Sequence, residues 1–296
     1  MSKITKALEK AARERLQRMQ PQPTTKAQAV DVPVTTASRL GELVSAGRIH
    51  VDPHVVAATD PSSPIAEQYR ILRTNLQSLK LRQGPKTFVI TSAVHSEGKS
   101  VTAVNLALTL SRQEKLNVVL VDADMRKGSV CNWLGIANRK DGLPTTLLRG
   151  GELNGSLIRL QEPPLAVLPS GPHPEHPAEL LESSSMRRLL DSLKAQFDVI
   201  IIDAPPVLPV ADPGILAAQA DGVLLVVRAG RTQRKTVTQA QALLTQMKAN
   251  VLGCVLTHVE YYLPGYYRYY HAYRYGATAK AEKTNGKETA EVTSNE

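Results

Sequence analysis

Cysteine is almost missing from this sequence: among 296 residues only Cys131 and Cys254 occur, in separate segments without ligand-like spacing. That excludes a disulfide scaffold and a cysteine-built zinc centre, and suits a reducing compartment. Long apolar runs are missing too. The best candidates, "FDVIIIDAPPV" and "GVLLVVRAG", are interrupted by Asp203 and Arg228 and fall short of a bilayer span. No secretory h-region opens the chain, and no self-similarity runs along it at solenoid periods. A soluble, cytoplasmic protein is therefore expected. Acidic residues are in deficit, 27 Asp+Glu against 36 Lys+Arg, for a net charge of +9. That excess suits nucleic acid, an anionic membrane face or a negatively charged substrate, and by itself selects none of them.

What is present is an alternation of short apolar runs with helical patterns. "KTFVITSAV", "LNVVLVDAD", "LAVLPSG", "FDVIIIDAPP", "DGVLLVVRAG" and "NVLGCVLTHV" read as six strands, and strands this apolar need cover on both faces. Between them lie "VTAVNLALTLSRQ", "AELLESSSMRRLLDSLKAQ" and "RKTVTQAQALLTQMK", each helical in period. The expected class is α/β, P-loop NTPase-like: a mostly parallel sheet with helices on both faces, plus flexible N- and C-terminal extensions. Ahead of the first strand, Ser63 as N-cap and Pro64 as first helical residue start a helix through "SPIAEQYRILRTNLQSLK". Further upstream, Ile4, Leu8, Ala12, Leu16 and Met19 form a narrow apolar stripe at helical spacing. It suits a solvated arm that folds on a partner, and equally a helix that docks on a membrane surface. Residues 1–60 are read as this helix and a flexible linker, 61–260 as the folded domain, 261–276 as a tyrosine-rich segment and 277–296 as disordered.

The first strand runs into "SAVHSEGKS", residues 92–100. A phosphate-binding loop is written G-x-x-x-x-G-K-[ST], and here Ala93 replaces its first glycine. In such a loop, backbone N–H groups and a helix N-terminus cradle phosphates. Ser96, Glu97, Gly98, Lys99, Ser100 and Val101 are the expected nucleotide-binding residues, with Lys99 reaching the terminal phosphates and Ser100 ligating Mg²⁺. Ala93 resists positive φ, so an altered start to the loop is expected. Two further strands stop at acid: "VVLVDADMR" at Asp122 and Asp124, and "VIIIDAPP" at Asp203. One such aspartate is an ordinary turn cap. Three of them, each ending a β-run alongside a G-K-S loop, point to ATP with Mg²⁺, with Asp122, Asp124 and Asp203 as candidates for the metal's further ligands beside Ser100.

These three stretches resemble the bacterial tyrosine kinases (BY-kinases) that govern exopolysaccharide and capsule synthesis. In family terms they are Walker A, a Walker A′ motif D-x-D-x-R met by Asp122, Asp124 and Arg126, and D-x-P-P met by Asp203, Pro205 and Pro206. The resemblance spans roughly residues 60–275. It implies a protein-tyrosine autokinase with Asp122, Lys99, Asp124 and Arg126 as catalytic residues and with Ser100, Asp124 and Asp203 holding Mg²⁺. Spacing alone does not separate Asp122 from Asp124 as the base; the family pattern assigns Asp122. "EQYRILR" fits the family's E-x-x-R-x-x-R through Glu67, Arg70 and Arg73, which there joins subunits of a ring; on spacing alone it is a charged helix face with intrahelical pairing. Two positions depart from the family. His95-Ser96 stands where the usual loop has Pro-Gly, and His176 stands where Asn is usual. Neither histidine has metal-ligand spacing, so both read as ordinary loop residues.

Two features separate the kinases from the Min- and Par-type ATPases of the same fold. Those carry a signature lysine one residue after the position of Ala93, and here that residue is Val94. The second feature is "EYYLPGYYRYYHAYRYG", which holds eight of the nine tyrosines: Tyr261, Tyr262, Tyr266, Tyr267, Tyr269, Tyr270, Tyr273 and Tyr275. Interleaved with Arg268, His271 and Arg274, they do not form a core pattern. Such a run suits single-stranded nucleic acid or a membrane interface as well. No OB, KH or RRM signature accompanies it, and a terminal tyrosine cluster is what the family phosphorylates on itself, so no nucleic-acid partner is expected. The resemblance further implies a ring-like homo-oligomer, a separate transmembrane polysaccharide co-polymerase as activator, attachment to the inner membrane through it, and a cognate tyrosine phosphatase. The opening "MSKITKALEKA" resembles kinases that accompany exosortase-linked systems and is read as a docking arm. A Min/Par-type ATPase and a non-catalytic ATP-binding adaptor of a polysaccharide export complex stand as the alternatives.

Overall fold

A computed structural model describes residues 50–79, 84–137, 140–153 and 155–259. The expected N-terminal helix, the tyrosine-rich segment from Tyr261 and the polar tail lie outside these residues. A seven-stranded sheet organises the rest: β1 (Lys86–Ser92), β2 (Val118–Asp122), β3 (Ile158–Leu160), β4 (Leu165–Leu168), β5 (Val199–Asp203), β6 (Gly222–Arg228) and β7 (Val251–Thr257), in the order β3-β4-β2-β5-β1-β6-β7. All neighbours run parallel except β3 against β4. β3 is the strand that periodicity does not reveal. Three residues with Arg159 in the middle are too short to register as an apolar run.

Every residue of β2 and β5 is buried, which is why these strands read as uninterrupted apolar runs. One face of the sheet is covered by α1 (Val56–Thr59), α2 (Pro64–Ser78), α3 (Lys99–Ser111) and α4 (Val130–Leu134). The other is covered by α5 (Leu143–Leu148), α6 (Pro177–Glu182), α7 (Ser184–Lys194), α8 (Asp212–Ala217) and α9 (Arg234–Gln246). Ser63 caps α2 as its sequence suggests, its hydroxyl accepting from Ala66 N at 3.1 Å.

Two expectations need correction. The single helix expected through "AELLESSSMRRLLDSLKAQ" is two, because Ser183 takes an extended conformation (φ −63°, ψ 158°) and its side chain caps α7. Serine offers the backbone this alternative to helix. The folded body also begins before residue 61: Val51, Val55 and Ala57 are buried, and Ala57 N donates to the Asn105 side chain of α3 at 2.9 Å. That stretch is too short to show a period. Among the described residues no helix is long and apolar enough to cross a membrane.

The topology decides where chemistry can occur. The link from β1 to β2 passes over β5, and the link from β5 to β6 passes over β1. The carboxyl ends of β1, β2 and β5 therefore meet in a crevice, and register sets Asp122 opposite Asp203 and Asp203 opposite Ile90.

Candidate active site

The loop from β1 to α3 answers the question of the missing glycine. Ala93 is fully buried, and positive φ falls elsewhere, at Ser96 (62°) and Gly98 (92°). Ala93 itself is not left-handed, as a residue with a Cβ at that place requires. The strained residue is Ser96, whose Cβ makes the left-handed conformation cost roughly 1 kcal/mol. Gly98 caps α3, and a Cβ there would lie 3.3 Å from the Thr257 methyl. Glu97, expected among the nucleotide-binding residues, is buried, and its carboxylate braces the loop. It accepts from Val94 N at 2.9 Å, from Arg228 N at 3.4 Å and from the Thr232 hydroxyl. Its own carbonyl accepts from the Thr257 hydroxyl at 2.8 Å. The loop is thus pinned to the ends of β6 and β7.

Lys99 is the first residue of α3, and its ammonium reaches into the crevice. It lies 2.8 Å from Asp124 Oδ2, 3.1 Å from Ser100 Oγ and 3.7 Å from Asp203 Oδ1. Burial lowers the Lys99 pKa, but Asp203 and Asp124 outweigh it and the net shift is upward. Both Asp122 oxygens are occupied by backbone, Oδ1 accepting from Asp124 N at 3.3 Å and Oδ2 from Val130 N at 3.0 Å. Asp124 uses its other oxygen to accept from Lys127 N at 2.9 Å. Asp203 is different: fully buried, it accepts from no backbone N–H, and the donors beside it are the Ser100 hydroxyl and the Lys99 ammonium, the latter 3.7 Å away. Burial, reinforced by Asp203, pushes Asp122 up to about 7. Burial likewise raises Asp203, against the opposing pull of Lys99.

A buried carboxylate with no backbone donor, beside a serine hydroxyl, is what a hard cation with further ligands of its own would satisfy. Among the described residues no three His, Cys, Asp or Glu side chains form a ready-made metal site. Magnesium held here needs the oxygens of Ser100 and Asp203, with Asp124 nearby, completed by phosphate and water. The residues fit the metal together with a nucleotide, and not the metal alone.

Arg126 has a partner that no sequence pattern signalled. Its Nε and one terminal nitrogen donate to Asp212 at 3.0 and 3.2 Å. Asp212 is wholly buried in the first turn of α8, where "DP" reads as an ordinary helix start. That bidentate pair fixes the guanidinium and raises its pKa further. Ser96, Gly98, Lys99, Ser100, Val101 and Asp124 share one cleft of about 400 Å³. Glu67, Arg70 and Arg73 lie outside that lining, on α2. Glu67 pairs with Arg70 at 2.9 Å, while Arg73 turns inward to the Thr109 carbonyl at 3.4 Å. His176, exposed, stands 3.6 Å from Glu179.

Known proteins resemble this chain over much of its length. The AAA domain family matches residues 88–252. The tyrosine-protein kinase YwqD of Bacillus subtilis is 40% identical over 220 residues, 72% of this chain and 91% of that protein. The putative tyrosine-protein kinase EpsB of Ralstonia nicotianae is 36% identical over 75% of this chain, which spans only 29% of EpsB. Among solved structures, the kinase domain of the Escherichia coli tyrosine kinase ETK aligns with a TM-score of 0.66 at 29% identity, covering 71% of this chain and 82% of that one.

Proposed function

The chain belongs to the bacterial tyrosine kinases, and from that premise we propose that it moves the γ-phosphoryl of ATP onto its own C-terminal tyrosines in trans, within a homo-oligomer, and thereby regulates exopolysaccharide synthesis. One observation carries the reading: a half-buried lysine ammonium among three buried carboxylates, one of which, Asp203, accepts from no backbone N–H. One ammonium does not balance three buried carboxylates, and a bound cation would offset the remainder.

Each residue has a part derivable from its surroundings. Lys99 holds the terminal phosphates and offsets their charge, and the Ser96–Val101 backbone cradles them. Magnesium, when bound, neutralises phosphate charge and orders the chain of phosphates; Ser100 and Asp203 would hold it, with Asp124 alongside. Arg126, oriented by Asp212, adds a second positive charge. Asp122 takes the phenolic proton as the tyrosine oxygen bonds to the γ-phosphorus and the bond to the bridging oxygen breaks, releasing ADP. A free phenol has a pKa near 10, so a base is needed at neutral pH. A carboxylate pushed up to about 7 is matched to that task.

Each phosphate on the tail adds about −1.5 to −2 charge. Several would turn the basic segment acidic and set protomers against one another, so the oligomer, joined through Glu67, Arg70 and Arg73, comes apart. A transmembrane polysaccharide co-polymerase supplied as a partner activates the cycle and holds the kinase at the inner membrane, and a phosphatase resets it. Incubating the full chain with ATP and Mg²⁺ and mapping phosphate by mass spectrometry tests the scheme. Phosphate confined to Tyr261–Tyr275 is expected; turnover of ATP with no labelled tyrosine would sink it.

A further inference from the structure

The chemistry above leaves one large side chain without a task. Trp133, the chain's one tryptophan, sits on α4 and is half-buried. Part of the ring packs on the core beneath α4, and His54 meets it edge-on with centroids 6.1 Å apart and planes at 82°. What is left of its surface lines the cleft that holds Lys99, Ser100 and Asp124. The backbone is held at both ends, Trp133 N donating to the Ser129 carbonyl at 3.1 Å and Asp52 N donating to the Trp133 carbonyl at 3.0 Å. The first residue of α4, Val130, is bonded to Asp122 Oδ2. The helix that carries the indole is thus anchored to the carboxylate assigned the acceptor's proton.

The cleft also has a direction. Gly98 and Val101 border two hollows, this one and a larger one of about 770 Å³ beside Thr257 and His258 of the β7 end. Lys99, Ser100 and Asp124, the groups suited to the terminal phosphate, line only the first. An acceptor oxygen must approach the terminal phosphorus in line with the departing ADP, and a terminal phosphate held by Lys99 and Ser100 lies in the hollow that Trp133 also lines. A fixed aromatic face in that hollow matches a flat phenol, which gains offset or edge-on stacking there.

We propose that Trp133 is the platform on which the acceptor tyrosine rests, stacking the phenol ring so that its oxygen faces the terminal phosphate. The assignment rests on the kinase reading of the same site. A side chain with only a packing role would be served equally by leucine, so the aromatic face is what must be tested.

The experiment uses the full chain, ATP, Mg²⁺ and a soluble peptide copying residues 264–276. Trp133→Leu is expected to raise the KM for the peptide about tenfold, with the KM for ATP within twofold of its original value. Trp133→Phe, which keeps a ring, should restore most of the peptide KM. In parallel, the peptide should shift the emission of Trp133, and the same peptide with every tyrosine changed to alanine should not. Equal peptide KM values for the leucine variant and the parent would overturn the platform while leaving the kinase intact. Should the parent label no tyrosine at all, the kinase reading fails instead. The emission shift then still decides the platform: tyrosine-dependent, it stands; absent, it falls.

Discussion

β2 and β5 end side by side, each on an aspartate, with Asp122 registered opposite Asp203. Beyond that point the two exits part. β2 runs into "ADMRKGSV", whose backbone N–H groups at Asp124 and Val130 fold back onto both oxygens of Asp122. β5 runs into Ala204-Pro205-Pro206. The Ala204 N–H is spent on the Ile90 carbonyl at 3.0 Å, and prolines have no N–H to give. Asp203 therefore has no local cap. Two adjacent buried carboxylates thus differ in surroundings, one held in a backbone frame, the other with only the Ser100 and Lys99 side chains beside it. Residue type is the same; the donors that follow it are not.

The largest test of this contrast removes the one cation both share. Lys99→Met is expected to cut tyrosine labelling about a thousandfold, since a phosphate-holding charge is lost from a water-poor site. It also leaves the carboxylates without a counter-charge. The melting temperature of the nucleotide-free protein should fall further at pH 8 than at pH 5, where protonation relieves the repulsion. Equal losses at both pH values would show that the ammonium does not balance these groups.

Replacing each aspartate by its amide separates the two exits. Asp122→Asn should lower the labelling rate about a hundredfold through loss of the base, and Asp203→Asn should do so through loss of the metal ligand. Stability should diverge. At pH 8 Asp203→Asn removes a buried charge that no backbone N–H supports, and the nucleotide-free protein should gain stability by chemical denaturation. Asp122→Asn should gain less, because an amide nitrogen would then face a backbone N–H where an oxygen accepted it. Identical gains would mean that capping is irrelevant.

The pH profile gives a subtler reading. With Asp122 raised from 3.8 to about 7, the folded protein keeps a proton that the unfolded chain has released across that window. Unfolding free energy should decline as pH rises from about 4 to 7 and level off above it. The Asp122→Asn variant should flatten that part of the slope; an unchanged slope would remove Asp122 as its source.

The smallest effect concerns the β1 exit, where the cost lies in backbone and not in charge. Ser96→Gly relieves a left-handed residue (φ 62°) and should raise stability by about 0.5–1 kcal/mol. Ala93→Gly, restoring the motif's first glycine, should bring no gain, because Ala93 is not left-handed and sits fully buried.

Much of this was legible in the chain. Six of the seven strands, the Ser63 cap and the strand-end positions of Asp122, Asp124 and Asp203 follow from apolar runs and punctuation. Reading failed where a feature was short or where its meaning lay in a distant partner. β3 is three residues long. Glu97 looks like a loop residue facing phosphate until Thr232 and Arg228 are seen to claim its carboxylate. Asp212 looks like a helix start until Arg126 is found on it, 86 positions away in sequence.

The order of residues along the chain determined which local structures form, since strand, turn and cap preferences act over a few neighbours: a β-run stopping at acid, a glycine ahead of Lys99, two prolines after Asp203. Only the tertiary structure decided what those residues became. Sheet order brought Asp122 beside Asp203, packing on β6 and β7 turned Glu97 into a brace, and the strap from Asp52 set Trp133 at the mouth of the cleft. Charge balance, hydrogen-bond saturation and burial belong to groups that meet in space, and no stretch of sequence contains them alone.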